Sequence, residues 1–259
     1  VYRRFHKPEK ENRLPEGVQF IRALATDNPT VTQDYIDQLK KRDKVTVERL
    51  LYGNFEYDDD PSALMDYDSI CDMWHNEDVP EGETYITCDI ARFGKDKTTI
   101  MIWSGFRVKH IEVINKGDLL FTAQAIAHQA RRWAVPMNCV IVDEDGVGGG
   151  VVDMLSCRGF VSNKSPIKRG NGDHNYNNLK SQCYFMLAKY VNERRIYFMP
   201  QDTVIKDELM QELEVVKKDN LYKDGKNAVL KKEVIKDMIG RSPDYSDALM
   251  QTMWFDLGR

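Results

Sequence analysis

The sequence predicts an α/β fold, a mixed β-sheet with helices on both faces. Three observations lead there. Between residues 84 and 114 three β-rich runs follow one another across short turns. "NCVIVD" is a short apolar run without alternation, as a strand buried on both faces requires. Segments of helical period stand before and after it. The order β-β-β-α-β-α, then further α and β, suits a sheet whose two faces are both covered.

The first stretch reads differently from the rest. "DNPTVTQDYIDQLKK" places a turn at Asn28-Pro29, then a short amphipathic helix with Tyr35, Ile36 and Leu39. "VTVERLLYGNFE" follows as a second short helix ending near Gly53, and "EYDDDPSALMDYD" is acidic and turn-rich, as a linker is. Residues 1–65 hold too few apolar side chains to bury a core alone, so we expect the tail of another domain plus a linker there, and a second domain over 66–259. The chain opens on Val1 and has no signal-peptide core, as expected of a piece of a longer, non-secreted polypeptide.

From Thr84 the elements come in order. "TYITCDI", "TTIMIWSG" and "FRVKHIEVI" form a meander of strands. "DLLFTAQAIAHQARRWA" has apolar residues at 119, 120, 123, 126, 127 and 130, a helical period. "GVGGGVVDML" opens a helix, with the glycines at 146 and 148 to 150 read as a tight turn before it. "NLKSQCYFMLAKYVNE" and "TVIKDELMQELEVVKK" are helical, separated by the strand-like "RIYFM". "NLYKDGKNAVLKK" reads as a hairpin around Asp224-Gly225, and a last helix runs from about Asp244 to Trp254.

Composition narrows the function classes. Hydrophobic content of 42% and charged content of 30% are those of a soluble globular protein. No apolar run approaches the ~18 residues of a membrane span. Five cysteines without a CxxC pair exclude a zinc ribbon and a disulfide framework, and point to a reducing cytosol. A net charge of −4 argues against an autonomous basic nucleic-acid-binding module, though not against a local basic groove.

The chemistry lies in aspartates. Asp89 ends the first strand of the meander, Asp143 ends "VIVD", and Asp244 and Asp247 share a face of the last helix, just before the apolar Ala248, Leu249 and Met250. Singly each has a plain alternative: a turn residue at Asp89, a helix cap at Asp143, an N-cap at Ser242 or Asp244. Together, three segments that each deliver an acid to one edge of a sheet form a cluster that repels itself without cations. Hard divalent ions suit such a set: Mg²⁺ takes a few carboxylates plus waters and phosphates, and a pair of ions can assist phosphodiester cleavage. Glu144 and Asp145 read as solvated or supporting neighbours.

Other features weigh less. Arg131-Arg132, Lys164, Lys168-Arg169, Lys217-Lys218, Lys231-Lys232, Lys236 and Arg241 are candidates for a DNA groove, with Lys231, Lys232 and Arg241 the best phosphate contacts because they lead into the last acidic motif. His110, His128 and His174 lack metal-ligand spacing; His174 is either a loop residue or a proton shuttle. No GxxxxGK[ST] loop exists, since Gly94-Lys95 and Gly225-Lys226 lack both the upstream glycine and the hydroxyl. No ATPase activity is expected of the chain as given.

"CDIARFGKDKTTI", "VIVDEDGVGGGVVDML" and "KKEVIKDMIGRSPDYSDALM" resemble the three acidic motifs of the nuclease domain in the large terminase subunit of tailed bacteriophages. "TDNPTVTQDYIDQLKK" with "LLYGNFE" resembles the end of the terminase ATPase domain. The resemblance implies an RNase H-like fold and a metal-dependent endonuclease that cuts concatemeric double-stranded viral DNA during packaging. It makes Asp89, Asp143 and Asp247 the catalytic acids, and Asp89, Asp143, Asp244 and Asp247 the ligands of two Mg²⁺ or Mn²⁺ ions. It implies a portal protein and a small terminase subunit as partners, a homo-oligomeric motor in the host cytoplasm, and a monomer for this piece. The alternatives are a resolvase or recombinase nuclease of the same fold, and a non-catalytic DNA clamp or portal-docking domain.

Overall fold

Alternating side chains divide the central strand between two cores. In β1 (Thr84–Asp89), Ile86 and Cys88 face one side, while Tyr85, Thr87 and Asp89 face the other. The structure, a computed structural model, describes residues 7–10, 12–21, 23–40, 47–53, 60–91, 96–115, 117–168, 175–219 and 225–258. It divides the chain into two compact units, Val1–Pro61 and Ser62–Arg259.

The regular elements of the first unit are all helical: α1 (Lys7–Lys10), a 3-10 turn at Ala25–Asp27, α2 (Gln33–Lys40) and a π-helical turn at Val47–Leu51, among the described residues. Ile36, Leu39 and Leu51 are buried, whereas Tyr35, expected on the apolar face, is exposed.

The second unit opens with α3 (Tyr67–Asp72), just past the 1–65 stretch that reads as tail and linker. One short turn of helix carries too little periodicity to be recognised, yet it buries Ile70 and leads to the buried Met73 and Trp74. Then come β1, β2 (Thr98–Ser104), β3 (Arg107–Ile114), α4 (Leu119–Arg132), β4 (Val140–Asp143), α5 (Gly148–Leu155) and β5 (Arg158–Phe160). After these follow α6 (Leu179–Asn192), β6 (Tyr197–Phe198), α7 (Thr203–Val215), β7 (Lys218–Asp219) and β8 (Ala228–Val229). The chain closes with α8 (Lys232–Ile239), α9 (Asp244–Met250) and α10 (Thr252–Leu257).

The main sheet has the order β5-β4-β1-β2-β3-β6. β1, β2 and β3 are antiparallel neighbours, and β4, β5 and β6 join in parallel. One face packs Ile86, Cys88, Ile100, Ile102, Val140 and Val142 with Ile126 of α4 and Val151 of α5. The other packs Tyr85, Met101, Trp103 and Ile141 with residues of α6, α7, α9 and α10. Trp103 donates its indole N–H to Thr87 Oγ1 at 3.0 Å, which satisfies both polar atoms inside that second core. The expected mixed sheet with two covered faces is what forms.

Two local expectations change. The expected tight turn of glycines is narrower: Gly146, at φ +73°, makes it, and Gly148, Gly149 and Gly150 are the first turn of α5. A Cβ on Gly148 would lie 1.6 Å from the Asp143 carbonyl oxygen, so glycine lets the helix start directly against the end of β4. The single C-terminal helix is two, divided at Gln251, whose Oε1 accepts the Cys88 N–H at 3.2 Å. Neither Ser242 nor Asp244 caps α9: Pro243 holds the N-cap position without a side-chain bond.

α9 is pinned from a neighbouring helix. Arg241 donates to the carboxylate of Glu212, to the Glu208 carbonyl at 2.7 Å and to Gln211 Oε1 at 3.2 Å. The other oxygen of Glu212 accepts the Ser246 N–H at 2.7 Å. Burial pushes Glu212 up to about 8, against the pull of Arg241 and the Ser246 N–H. Arg241, expected on DNA, therefore serves the interior, because a fully buried carboxylate needs a cation.

Arg241→Ala should cost about 3–5 kcal/mol in urea unfolding, since it leaves Glu212 buried and unpaired, while the double change of Glu212 and Arg241 to Met should cost far less. A loss under 1 kcal/mol, on the same scale of buried pairs, would place the guanidinium outside the scaffold. At α5, Gly148→Ala should destabilise by about 1–3 kcal/mol through overpacking. Gly149→Ala, with its nearest atom at 3.6 Å, should instead be neutral or stabilising in the same assay.

Candidate active site

Register brings the first two acids together. β1 and β4 pair in parallel as Ile86↔Val140, Thr87↔Ile141 and Cys88↔Val142, so Asp89 and Asp143 end adjacent strands side by side. Both point to the face covered by α9. They lie within hydrogen-bonding reach, and burial raises Asp89 well above the ordinary carboxylate range, with Asp247, Asp143 and Asp244 adding to the rise and Lys232 opposing it. Asp143 is raised by burial too, but the bond from Asp89 and the Asp145 N–H restrain it.

Asp247 comes from the other side and is ionised. Its Oδ1 accepts from Lys180 Nζ at 2.7 Å and from the Tyr184 hydroxyl at 2.7 Å. Its Oδ2 faces Lys232 Nζ at 3.1 Å, and that same ammonium lies 3.9 Å from Asp89 Oδ2. Burial alone would raise Asp247; Lys180 and Lys232 outweigh it and hold the carboxyl far below its usual range. Lys232 is raised in turn by Asp247, Asp89 and Asp244, against its own burial.

Asp244 lies one turn earlier on the same helix. Its Oδ2 accepts the Lys97 backbone N–H at 2.7 Å, fastening α9 to the start of β2. Of the two aspartates on that helix, Asp247 meets Asp89 through Lys232. Asp145 supports Asp143 with its N–H at 3.1 Å and accepts the Ser162 N–H at 2.9 Å. The Glu144 side chain lies across Gly159 of β5, where a Cβ would meet its Oε2 at 1.8 Å.

The basic candidates separate by environment. Lys231 is exposed at the N-cap of α8, Lys164, Lys168 and Lys218 are exposed, and Lys236 pairs with Asp96 at 3.0 Å. His110 stacks on Trp133 and His128 is exposed. His174, Arg169, Gly94, Lys95 and Asp224 lie outside the described residues.

Sequence reasoning missed Lys180 and Tyr184. Their signal is the spacing in "LKSQCY": a lysine and a tyrosine four apart at the start of α6 share one face. It becomes legible only once α6 is known to lie against α9.

Among the described residues no three His, Cys, Asp or Glu side chains converge tightly enough to hold a metal ion as they stand. The surroundings nevertheless fit one. The donors are hard carboxylate oxygens, and the gap between Asp89 and Asp247 already accommodates the cationic head of Lys232. Beside Asp89 in the β1–β2 pairing, the buried Thr99 hydroxyl has no hydrogen-bond partner among the described residues.

The sequence matches no protein-family model and no curated protein. Its structure is similar to the nuclease domain of the large terminase subunit gp2 of bacterial virus Sf6, at 20% identity and a TM-score of 0.64, over 74% of this chain and 98% of that one. A lysine-to-alanine mutant of that domain with manganese and beta-thujaplicinol superposes with a TM-score of 0.65 at 18% identity, over the same shares. The calcium-containing form gives 0.63 at 19%. The chain has the RNase H-like α/β fold of large terminase nuclease domains.

Proposed function

We propose that this chain is the nuclease part of a large terminase subunit, an endodeoxyribonuclease that depends on divalent metal and cuts concatemeric double-stranded viral DNA during packaging. The observation that carries the reading is the meeting of Asp89, Asp143 and Asp247, from two strand ends and a helix, on the sheet of an RNase H-like fold. The manganese and calcium in the Sf6 structures support divalent ions here, and the sequence motifs support Mg²⁺ or Mn²⁺, two in number. Residues 1–65 are then the tail of the ATPase domain and its linker, leaving 66–259 as the nuclease. Portal protein, small terminase subunit and further copies of the whole chain are its partners in a motor in the host cytoplasm.

In this reading Asp89, Asp143, Asp244 and Asp247 hold the ions, and Asp244 also keeps α9 in place. Ions bound there supply the charge that receives a phosphodiester and lowers the pKa of an attacking water. The chain's own residues do the rest. With ions bound, Lys232, whose side chain is about one-third exposed, would withdraw from between the carboxylates and be free to meet a phosphate. Lys231, one residue upstream and exposed, is placed for a second phosphate contact.

Plasmid nicking tests the reading. Asp89→Asn and Asp143→Asn should each lower Mg²⁺-dependent cleavage more than about 100-fold, as loss of a group acting in the transition state does. The melting temperature in EDTA should stay level or rise, because each change removes repulsion from the cluster. Full activity in either variant, or cleavage that survives EDTA, overturns the assignment; metal-dependent binding without cleavage in the wild type would favour a clamp, and cutting confined to four-way junctions a resolvase.

Affinity for duplex should be modest. With few basic side chains near the acids and a net charge of −4, the slope of log K against log salt should be about −2 to −4, measured by anisotropy with Ca²⁺ in place of Mg²⁺. Lys231→Ala should flatten that slope by roughly 0.9. An unchanged slope removes Lys231 from the interface.

A further inference from the structure

The two oxygens of Asp247 are treated differently by the fold. Oδ1 takes two donors at 2.7 Å, Lys180 Nζ and the Tyr184 hydroxyl, both from α6. A carboxylate oxygen has about two lone pairs to offer, so Oδ1 is saturated. Oδ2 takes only Lys232, which it shares with Asp89. One oxygen is locked to the scaffold; the other faces the gap.

The lock is itself well supported. Tyr184 is fully buried, and its oxygen lies 3.2 Å from Ser246 Oγ on α9, so the phenol is held from the helix it steadies. Lys180 Nζ lies 5.7 Å from the centroid of the Tyr184 ring, a cation–π distance that keeps the two on one side of the carboxylate. The backbone is tied as well: the Lys180 N–H donates to the Ser162 carbonyl at 3.1 Å, and Asn178 caps α6 by accepting the Ser181 N–H at 2.9 Å. Through Ser162 this segment also reaches Asp145, the neighbour that steadies Asp143.

We propose that Lys180 and Tyr184 are positioning residues that make Asp247 a one-oxygen ligand, an inference that rests on the reading of Asp247 as a metal ligand. The consequence is selectivity. Mg²⁺ and Mn²⁺ suit octahedral sites with single-oxygen carboxylates, whereas Ca²⁺ accepts two oxygens of one carboxylate at longer distance. By occupying Oδ1, the α6 pair denies Asp247 the two-oxygen mode and biases the site toward the smaller ions. Removing a supporting group of this kind weakens metal binding by about 10-fold or more.

The test is a pair of titrations on the whole chain: Mn²⁺ followed by the electron paramagnetic resonance of the free ion, and Ca²⁺ by its competition with Mn²⁺. Tyr184→Phe, which removes one oxygen atom and keeps the ring, should weaken Mn²⁺ about 10-fold and leave Ca²⁺ nearly unchanged, so the Mn²⁺/Ca²⁺ preference falls. Lys180→Met should lower the same ratio; its lost charge acts on both divalent ions alike and cancels. Weakening of both ions in proportion would show a merely structural role, and an unchanged ratio with unchanged affinities would show none; either overturns the proposal. Wild-type protein that binds no Mn²⁺, or an Asp89→Asn variant that binds it equally well, overturns the metal-site reading itself and the positioning role with it.

Discussion

Carboxylates withdrawn from water are the constraint around which this domain is built. Asp89, Asp244 and Asp247 are all nearly inaccessible, and Asp143 ends the strand beside Asp89. Like charges so placed repel, and the interior offers little solvent to screen them. The fold answers in three ways. Asp89 and Asp143 lie within hydrogen-bonding reach of each other, Asp247 is matched by Lys180 and Lys232, and Asp244 is given a backbone N–H. Each remedy ties an acid to a different segment, so the cluster and the scaffold hold one another.

That scaffold is stiff where it bears the acids. α9 is fixed to α7 through Glu212, Arg241 and Ser246, to β1 through the hydrogen bond between Gln251 and Cys88 close by, and to the start of β2 through Asp244. Gly148 lets α5 close directly on the end of β4, which leaves Asp143 at a defined strand end. The adjustable part is Lys232, a long side chain about one-third exposed on a helix that follows the β7–β8 hairpin. A cation on a flexible stem stabilises the acids without filling the gap permanently. Under the proposed function a divalent ion would compete with it for Asp89 and Asp247.

Basic residues near the last acidic motif consequently have three fates. Arg241 is consumed by Glu212, Lys232 by the acid cluster, and Lys231 stands exposed. Spacing along the chain does not separate these roles. A guanidinium with several donors suits the buried, multiply bonded position, and a point-charge ammonium suits a place between two carboxylates.

By itself the sequence determined the fold class, the meander, the two long helices α4 and α6, and the three segments that carry the acids, because periodicity and strand-end aspartates are local signals. Tertiary structure decided the rest. That Asp89 meets Asp143 depends on β1 pairing with β4, fifty residues apart; that Lys180 and Tyr184 grip Asp247 depends on α6 lying against α9. The short elements α3 and β5 hold too few residues for a period, and form because neighbours supply their hydrogen bonds and cover their apolar side chains. The fate of each charged residue was undetermined for the same reason: whether a lysine meets solvent, phosphate or a buried acid is set by what folds against it, and electrostatic partners are chosen in space.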